Sequence, residues 1–183
     1  MPDIRGVALG AIRHPATGEY LVQRLPGTDD THFHRFIGGG IHVGEASDAA
    51  LEREFREELG VAVEAGPAVC TVENLFEWGG DSHHEFAIVR EATFADDSLY
   101  DRDRFTGVED DGGDDGGDDD RFEYEAYWRS LTALRAADAP FFPVGVADAV
   151  AVDGHTHVVS PLDADAGAVA DAVTGADTDA VDE

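Results

Sequence analysis

Three glutamates follow a run of glycines at a spacing that could bind a metal ion. Glu54, Glu57 and Glu58 come shortly after the glycines at 38–40, in the stretch GGGIHVGEASDAALEREFREELGV. With about 100° of rotation per residue, a helix would place the three carboxylates on one side, where like charges repel. Mg²⁺ would offset that repulsion, because it binds carboxylates, water and substrate phosphates. The spacing therefore indicates metal-assisted chemistry on a phosphorylated compound. The alternative is an acid-rich helix in an acid-rich protein.

A helix over residues 47–59 is the element that must position these carboxylates. Ser47 is the predicted N-cap, and Gly60 suits the left-handed residue that often follows a helix. Apolar residues recur every four positions on the adjoining face: Leu51, Phe55 and Leu59. The glycines at 38–40 have no Cβ, so their backbone can approach the same metal and phosphates.

The rest of the sequence predicts many strands and few helices. The predicted strands are 6–14, 20–25, a short strand around 36–37, 67–78, 84–94, 123–131 and 156–161, and the helical segments are 131–140 and 143–151. We expect the first two strands to form a hairpin across the turn at PATGE. Because the order lacks regular βαβ alternation, the fold class is α+β.

One domain over residues 1–162 accounts for the chain, followed by an acidic tail at 163–183 that we expect to be disordered. The run at 107–120 consists almost entirely of Asp and Gly, so it predicts a loop insertion that adds nothing to a core. A calcium-binding loop is the alternative, but the run lacks the terminal glutamate of an EF-hand.

The composition is strongly acidic throughout. The chain has 40 acidic and 12 basic residues, with a net charge of -28, and every basic residue is Arg. Such a surface repels phosphate backbones and anionic membranes, which excludes ordinary binding to nucleic acids or membranes. The single cysteine and the absence of a long apolar run in the sequence predict a cytoplasmic protein.

The glycine-to-glutamate stretch also fits a longer pattern, G-x5-E-x7-R-E-U-x-E-E-x-G-U, where U is bulky and apolar. The matching residues are Gly39, Glu45, Arg53, Glu54, Phe55, Glu57, Glu58, Gly60 and Val61. The chain thereby resembles the Nudix hydrolase family, whose Nudix box has this pattern. The segments HRFIGGGIHVGE, VENLFEWGG, HHEF and YWRSL are similar to a subset of that family and extend the resemblance over residues 5–150. Ile37 replaces a common proline and His42 a common acid, and neither is an implied metal ligand.

This resemblance implies a fold, a reaction and a metal. The fold would be the Nudix α/β/α sandwich with a mixed β-sheet. The reaction would be hydrolysis of a nucleoside diphosphate linked to another moiety, with ADP-ribose or a modified nucleoside triphosphate as the substrate. Mg²⁺, or Mn²⁺ in its place, would hold the diphosphate and lower the pKa of bound water. The resemblance also makes a homodimer an expectation.

The implied metal ligands share an oxygen donor and a position in the box: Glu54, Glu57, Glu58 and the carbonyl of Gly39 or Gly40. Glu57 is the first candidate for the general base and Glu54 the second. Arg53 and Glu45 would orient the box.

Further candidates lie outside the box. Glu123, with Glu125 behind it, would supply an additional metal ligand, unless both are simply acids in an acidic protein. Glu85 follows a glycine-rich turn next to His84 and would meet the substrate.

Two arginines are candidates for binding the substrate phosphates. Guanidinium binds phosphate bidentately, which makes Arg24 and Arg35 valuable in so acidic a chain. A surface ion pair is the alternative for each of them.

Two other classes of function compete with a hydrolase. A Nudix-fold module could bind such a ligand without cleaving it, although the intact box glutamates argue against this. An acidic cation-binding protein would explain the Asp and Gly run, but not the register from Gly39 to Val61.

The composition generates a prediction about salt. The excess of acid and the lack of lysine resemble proteins of salt-accumulating halophiles, in which molar salt screens self-repulsion. We expect the melting temperature to rise between 0.1 M and 2 M KCl, measured by circular dichroism. A melting temperature that does not rise would contradict this.

Overall fold

Ten β-strands and three α-helices make up the part of the chain described by the computed structural model, residues 4–27, 31–78, 81–110 and 121–160. The strands are β1 Ile4–Ile12, β2 Tyr20–Pro26, β3 His32–Arg35, β4 Ile37–Gly40, β5 Val63–Trp78, β6 Asp81–Phe94, β7 Arg104–Asp110, β8 Arg121–Arg129, β9 Phe141–Phe142 and β10 Thr156–Ser160. The helices are α1 Ser47–Glu58, α2 Leu131–Arg135 and α3 Val146–Ala149, with a single 3₁₀ turn at Asp97–Asp101.

The strands form two mixed sheets. Sheet A has the order β10-β5-β6-β1-β4, and sheet B has the order β7-β8-β2-β3-β9. Parallel pairs join β1 to β6 and β10 to β5 in sheet A, and β3 to β9 in sheet B, while the other pairs are antiparallel. The predicted α+β fold with mixed strand directions is confirmed, with the strands divided between two sheets.

Strand β1 separates two hydrophobic cores because its side chains alternate. Its odd-numbered residues pack in one core with Leu134 of α2 and Val146 of α3: Val7, Leu9 and Ala11. Ala8 and Ile12 face the other core, which contains Phe55 of α1. Helices therefore lie on both sides of sheet A, as an α/β/α sandwich requires.

Helix α1 forms where the sequence predicts it, but its first residue is capped differently. The N-cap is Ala46, without a side-chain hydrogen bond. The predicted cap, Ser47, is wrong, because its hydroxyl instead accepts a hydrogen bond from Arg90 Nη1 at 3.0 Å. Gly60 adopts the expected left-handed conformation, with φ of 65°.

The predicted hairpin between the first two strands is wrong. Both strands are present, but only the bridge between Arg13 and Tyr20 joins them. β1 pairs with β4 and β6 in sheet A, while β2 pairs with β3 and β8 in sheet B. The chain thus changes sheet across the turn, because each strand gains longer partners elsewhere.

The acidic run begins with a strand that the sequence analysis did not predict. Residues 107–110 belong to β7 and pair with β8. Gly107 is buried, and a Cβ there would lie 2.2 Å from Cζ of Tyr124, so this start of the run does contribute to the packing. The remaining residues of the run, 111–120, and the predicted tail at 163–183 lie outside the described residues.

Membrane-spanning helices are absent from the described segments, where every helix is too short or too polar to cross a bilayer.

The contact between β1 and α1 generates a stability prediction. A Cβ on Gly10 would lie 2.8 Å from the ring of Phe55 and 3.1 Å from Leu51. Gly10→Ala should therefore lower the free energy of unfolding by about 1–3 kcal/mol through overpacking, measured by denaturant titration. Gly6→Ala on the same strand is the control, since its Cβ would make an ordinary 3.5 Å contact with Ile41. Equal stabilities of the two variants would refute the packing argument.

Candidate active site

Arg53 connects the glycine loop to the carboxylates of α1. Its Nε and Nη2 donate to the two carboxylate oxygens of Glu45, both at 2.9 Å, and Nη2 also donates to the Gly40 carbonyl at 2.8 Å. Nη1 donates to Glu54 at 2.8 Å and to Glu57 at 3.0 Å. The hydrogen bond from Arg53, together with one from the His42 amide, lowers the pKa of Glu45 to about 2. One guanidinium thus holds the loop and the helix in register.

Glu54 packs directly on the glycine loop. A Cβ at Gly39 would lie 2.6 Å from the Glu54 carboxyl carbon. Only glycine leaves room for this carboxylate against the backbone of β4. The sequence-predicted pair of Gly39 and Glu54 is therefore brought together.

Glu58 is the buried member of the three box glutamates. It is 9% exposed and accepts a hydrogen bond of 2.5 Å from the Tyr124 hydroxyl. Burial, and next the negative charge of Glu109, raise the pKa of Glu58 far above its ordinary value, while Arg35 acts in the opposite direction. A carboxylate in this position lacks enough compensating positive charge among the described residues.

A carboxylate that the sequence analysis did not single out, Glu109 of β7, lies near the box glutamates. Phe105 and Gly107 are buried toward α1, so Glu109 lies on the same face of the strand and near Glu58. Phe105, Gly107 and Glu109 alternate along one face of the strand, and this pattern could have predicted the position of Glu109. The acidic run that follows obscured the pattern.

The predicted additional ligand, Glu123, is not brought to this site. Tyr124 and Ala126 of β8 are buried in the core that contains α1. Because side chains alternate along a strand, Glu123 and Glu125 lie on the opposite face, where both are exposed. Glu125 is instead paired with Arg104 at 3.0 Å.

The two predicted phosphate-binding arginines lie on opposite faces of sheet B. Arg35 lies two residues after Phe33 and therefore on the same face of β3, the face that packs toward α1. Its positive charge acts on Glu58. Its Nη2 donates to the Gly38 carbonyl at 2.7 Å. Arg24 lies two residues after Val22 and therefore on the same face of β2. Because Val22 packs in the other core, Arg24 is turned away from the box. Only Arg35 is positioned beside the glutamates.

Glu85 is buried on the side of sheet A that carries α2 and α3. It is in register with Arg5 and with Asn74 on the neighbouring strands, and Arg5 Nε lies 3.9 Å from its carboxylate. Its neighbour His84 points to the other face, where Nε2 lies 3.1 Å from Glu73. Arg5 Nη2 would be 3.8 Å from a Cβ on Gly40, which places the Arg5 guanidinium between Glu85 and the glycine loop.

The carboxylates suit a hard divalent cation in type and position. Glu54, Glu57 and Glu58 come from the second half of α1, and burial followed by the negative charge of Glu109 raises the pKa of Glu58 there. Carboxylate oxygens are the donors that such a cation prefers. No three ligating side chains converge on one point within the described ranges, because Arg53 holds Glu54 and Glu57. The Glu57 side chain is 61% exposed, and one hydrogen bond from Arg53, at 3.0 Å, holds it.

Comparison with known proteins agrees with this geometry. Residues 4–144 match the NUDIX domain family. A segment of 55 residues is 44% identical to an 8-oxo-dGTP diphosphatase of Haemophilus influenzae, and it covers 30% of this chain and 40% of that protein. The similarity thus spans less than half the length of that relative.

Similar solved structures have the same fold. A MutT protein from Methanosarcina mazei Go1 superimposes with a TM-score of 0.53 at 19% identity, covering 82% of this chain and 92% of the other. A MutT NUDIX hydrolase from Burkholderia pseudomallei gives 0.53 at 20% identity, covering 79% and 95%. At these identities the likeness establishes the fold alone.

The buried carboxylate generates a prediction about pH and metal. Because the pKa of Glu58 is raised in the folded state, the folded protein keeps a proton that the unfolded chain releases, and metal-free stability should fall as pH rises above about 5. Glu58→Gln still accepts from Tyr124 and removes the charge. It should raise the metal-free melting temperature at pH 8 by about 2–4 °C and abolish the stabilisation by Mg²⁺.

Scanning calorimetry from pH 5 to pH 9, first in chelator and then with Mg²⁺, tests this. Glu123→Gln removes the same charge from the exposed face and should change neither property. A Glu58→Gln variant that Mg²⁺ stabilises as much as the wild type would refute the assignment.

Proposed function

The chain belongs to the NUDIX domain family, and on that premise we propose that it is a hydrolase that cleaves a pyrophosphate bond in a Mg²⁺-dependent reaction. The proposed substrate is a nucleoside diphosphate linked to another moiety, such as a nucleoside triphosphate or ADP-ribose. One observation carries the proposal: Arg53 holds the glycine loop and the glutamates of α1 together, with Glu58 buried behind them.

The glutamates would hold Mg²⁺, and Mn²⁺ is a candidate substitute. We assign Glu54, Glu57 and Glu58 as ligands, with Glu109 in place of Glu123. The Gly38 and Gly40 carbonyls accept hydrogen bonds from Arg35 and Arg53, and Gly39 is paired with Ala8 of β1. The Gly39 carbonyl stays the proposed backbone ligand. When bound, the metal supplies charge neutralisation on the phosphates and a lowered pKa for water.

Proton removal is assigned to a carboxylate of the helix. Water attacks one phosphorus, the bridging P–O bond breaks, and the proton of the water passes to Glu57, with Glu54 as the second candidate. Glu57 is the more exposed of the two. It accepts one hydrogen bond from Arg53, which it would give up to accept the proton of the water. Arg53 itself positions the carboxylates and the loop.

The substrate contacts remain proposals drawn from position. Arg35 is suited to a phosphate, because it lies beside the box and its guanidinium can bind bidentately. The Arg5 guanidinium lies between Glu85 and the glycine loop. Glu85 is therefore farther from the box, and it would contact the part of the substrate remote from the bond that breaks. The 8-oxo-dGTP diphosphatase similarity supports a nucleoside triphosphate over ADP-ribose, although it covers the minority of that protein. A cytoplasmic location and a homodimer are also proposed.

A panel assay tests the proposal. Product release from nucleoside triphosphates, 8-oxo-dGTP and ADP-ribose is measured at about 2 M KCl with millimolar Mg²⁺, so that salt screens the self-repulsion. Wild type should cleave one member of the panel. Glu57→Gln should lower kcat by a factor of about 100 or more, because it removes the proposed base.

Glu109→Gln and Glu123→Gln form a matched pair for the additional ligand. Both remove one carboxylate from neighbouring strands, yet only Glu109→Gln should weaken activation by Mg²⁺. If the folded wild type binds a nucleotide and turns none over, a non-hydrolytic binding module replaces the proposed function.

A further inference from the structure

A row of polar side chains crosses sheet A on the face that carries α2 and α3. The row consists of register partners on four neighbouring strands: Ser160, Asn74, Glu85 and Arg5. The adjacent row on the same face is apolar and buried in the core: Val158, Val72, Ala87 and Val7. The polar row therefore begins where the core beneath α2 and α3 ends.

Asn74 and Glu85 form the middle of this row, and no described residue satisfies either side chain. Asn74 is 8% exposed and Glu85 is 9% exposed. Among the described residues, neither side chain has a hydrogen-bond partner, and Arg5 Nε lies 3.9 Å from the Glu85 carboxylate, too far for a hydrogen bond. The polar atoms that are sealed in the interior without a partner belong to other residues, so both side chains reach solvent. A ligand that enters from solvent can supply the hydrogen bonds that these two groups need.

The polar row is within reach of the box because β4, the strand of the glycine loop, is the edge strand of sheet A. A Cβ on Gly39 would meet the box on the α1 side, whereas a Cβ on Gly40 would point toward Arg5 on the other side. A ligand that passes these two glycines can therefore touch both faces of the sheet. At about 4.8 Å per strand, Glu85 and Asn74 lie about 10 and 14 Å from β4. A nucleoside with its phosphates at the glycine loop is long enough to reach them.

An aromatic surface borders the pair of Asn74 and Glu85. Phe76 and His83 are register partners on the same two strands, and their rings stack at 15° with centroids 5.0 Å apart. Because side chains alternate along a strand, both rings lie on the face of Asn74 and Glu85. Nucleobases stack on aromatic side chains while their edges form hydrogen bonds. Unsatisfied polar groups beside flat rings thus suit a nucleobase.

We propose, on the basis of the hydrolase function above, that Glu85 and Asn74 bind the base of the substrate and favour guanine over adenine. A carboxylate only accepts hydrogen bonds, and guanine offers it two neighbouring donors, N1–H and the N2 amino group. The Asn74 amide donates to O6 on the same edge of the base. Adenine presents an unprotonated N1 at this edge, whose lone pair a carboxylate repels.

Titration with nucleosides tests this without metal, phosphate or turnover. Guanosine, inosine and adenosine are added separately in chelator at constant KCl, and binding is followed by ¹⁵N–¹H NMR, including the side-chain amide of Asn74. We expect guanosine to bind most tightly. Inosine should bind about tenfold more weakly, because it lacks the N2 amino group, and adenosine more weakly still.

Two variants assign the preference to the two side chains. Glu85→Gln should weaken guanosine binding about tenfold or more and reduce the difference between guanosine and inosine to about twofold or less. Asn74→Leu should weaken guanosine and inosine equally, because both carry O6. Glu73→Gln is the charge-matched control: Glu73 precedes Asn74 on β5 but faces the α1 side of the sheet, where its carboxylate lies 3.1 Å from His84 Nε2. It should leave the preference for guanosine unchanged.

The outcomes separate the base site from the hydrolytic function. The proposal is overturned if none of the three nucleosides saturates, if adenosine binds as tightly as guanosine, or if Glu85→Gln weakens all three equally. It is also overturned if Glu73→Gln removes the preference as Glu85→Gln does. Preferential binding of guanosine by a wild type that hydrolyses no nucleotide would support the base site and contradict the proposed hydrolase alone.

Discussion

The five hydrogen bonds of Arg53 are the constraint on which the candidate active site depends. They join two carboxylate oxygens of Glu45, the Gly40 carbonyl, and the carboxylates of Glu54 and Glu57. A lysine could not make them, because its single ammonium lacks the planar fork that reaches a bidentate carboxylate and a carbonyl together. Loop, helix and ligands thus share one donor, and moving any of them disturbs the others.

The same carboxylates are unfavourable without a cation. Glu58 is buried beside Glu109, and Tyr124 and Arg35 offset only part of the repulsion. A fold stabilised for its own sake would place apolar residues there, as it does at Phe55 one turn earlier. A carboxyl group kept at this buried position is consistent with the metal site proposed above. The acidity of the rest of the chain does not explain it, because acid-rich surfaces leave carboxylates in solvent.

Local spacing accounts for what the sequence could predict. The box helix, the glycine loop and the proximity of Gly39 to Glu54 all follow from residues close in the chain. Glu109 and Glu123 show the limit, since choosing between them requires the pairing of β7 with β8 and the face on which Tyr124 is buried. The predicted hairpin between β1 and β2 shows the same limit. The turn between them is short, but β1 pairs with strands of sheet A and β2 with strands of sheet B.

Strand alternation also separates charges that would otherwise cancel. Arg35 lies on the face of sheet B that carries the box, and Arg24 lies on the opposite face. If both faced the glutamates, two cations would compete with a metal for the same oxygens. Because Arg24 lies behind the sheet, it does not neutralise the carboxylates of the box. Sheet B thus places one of the two arginines beside the carboxylates of the box and keeps the other away from them.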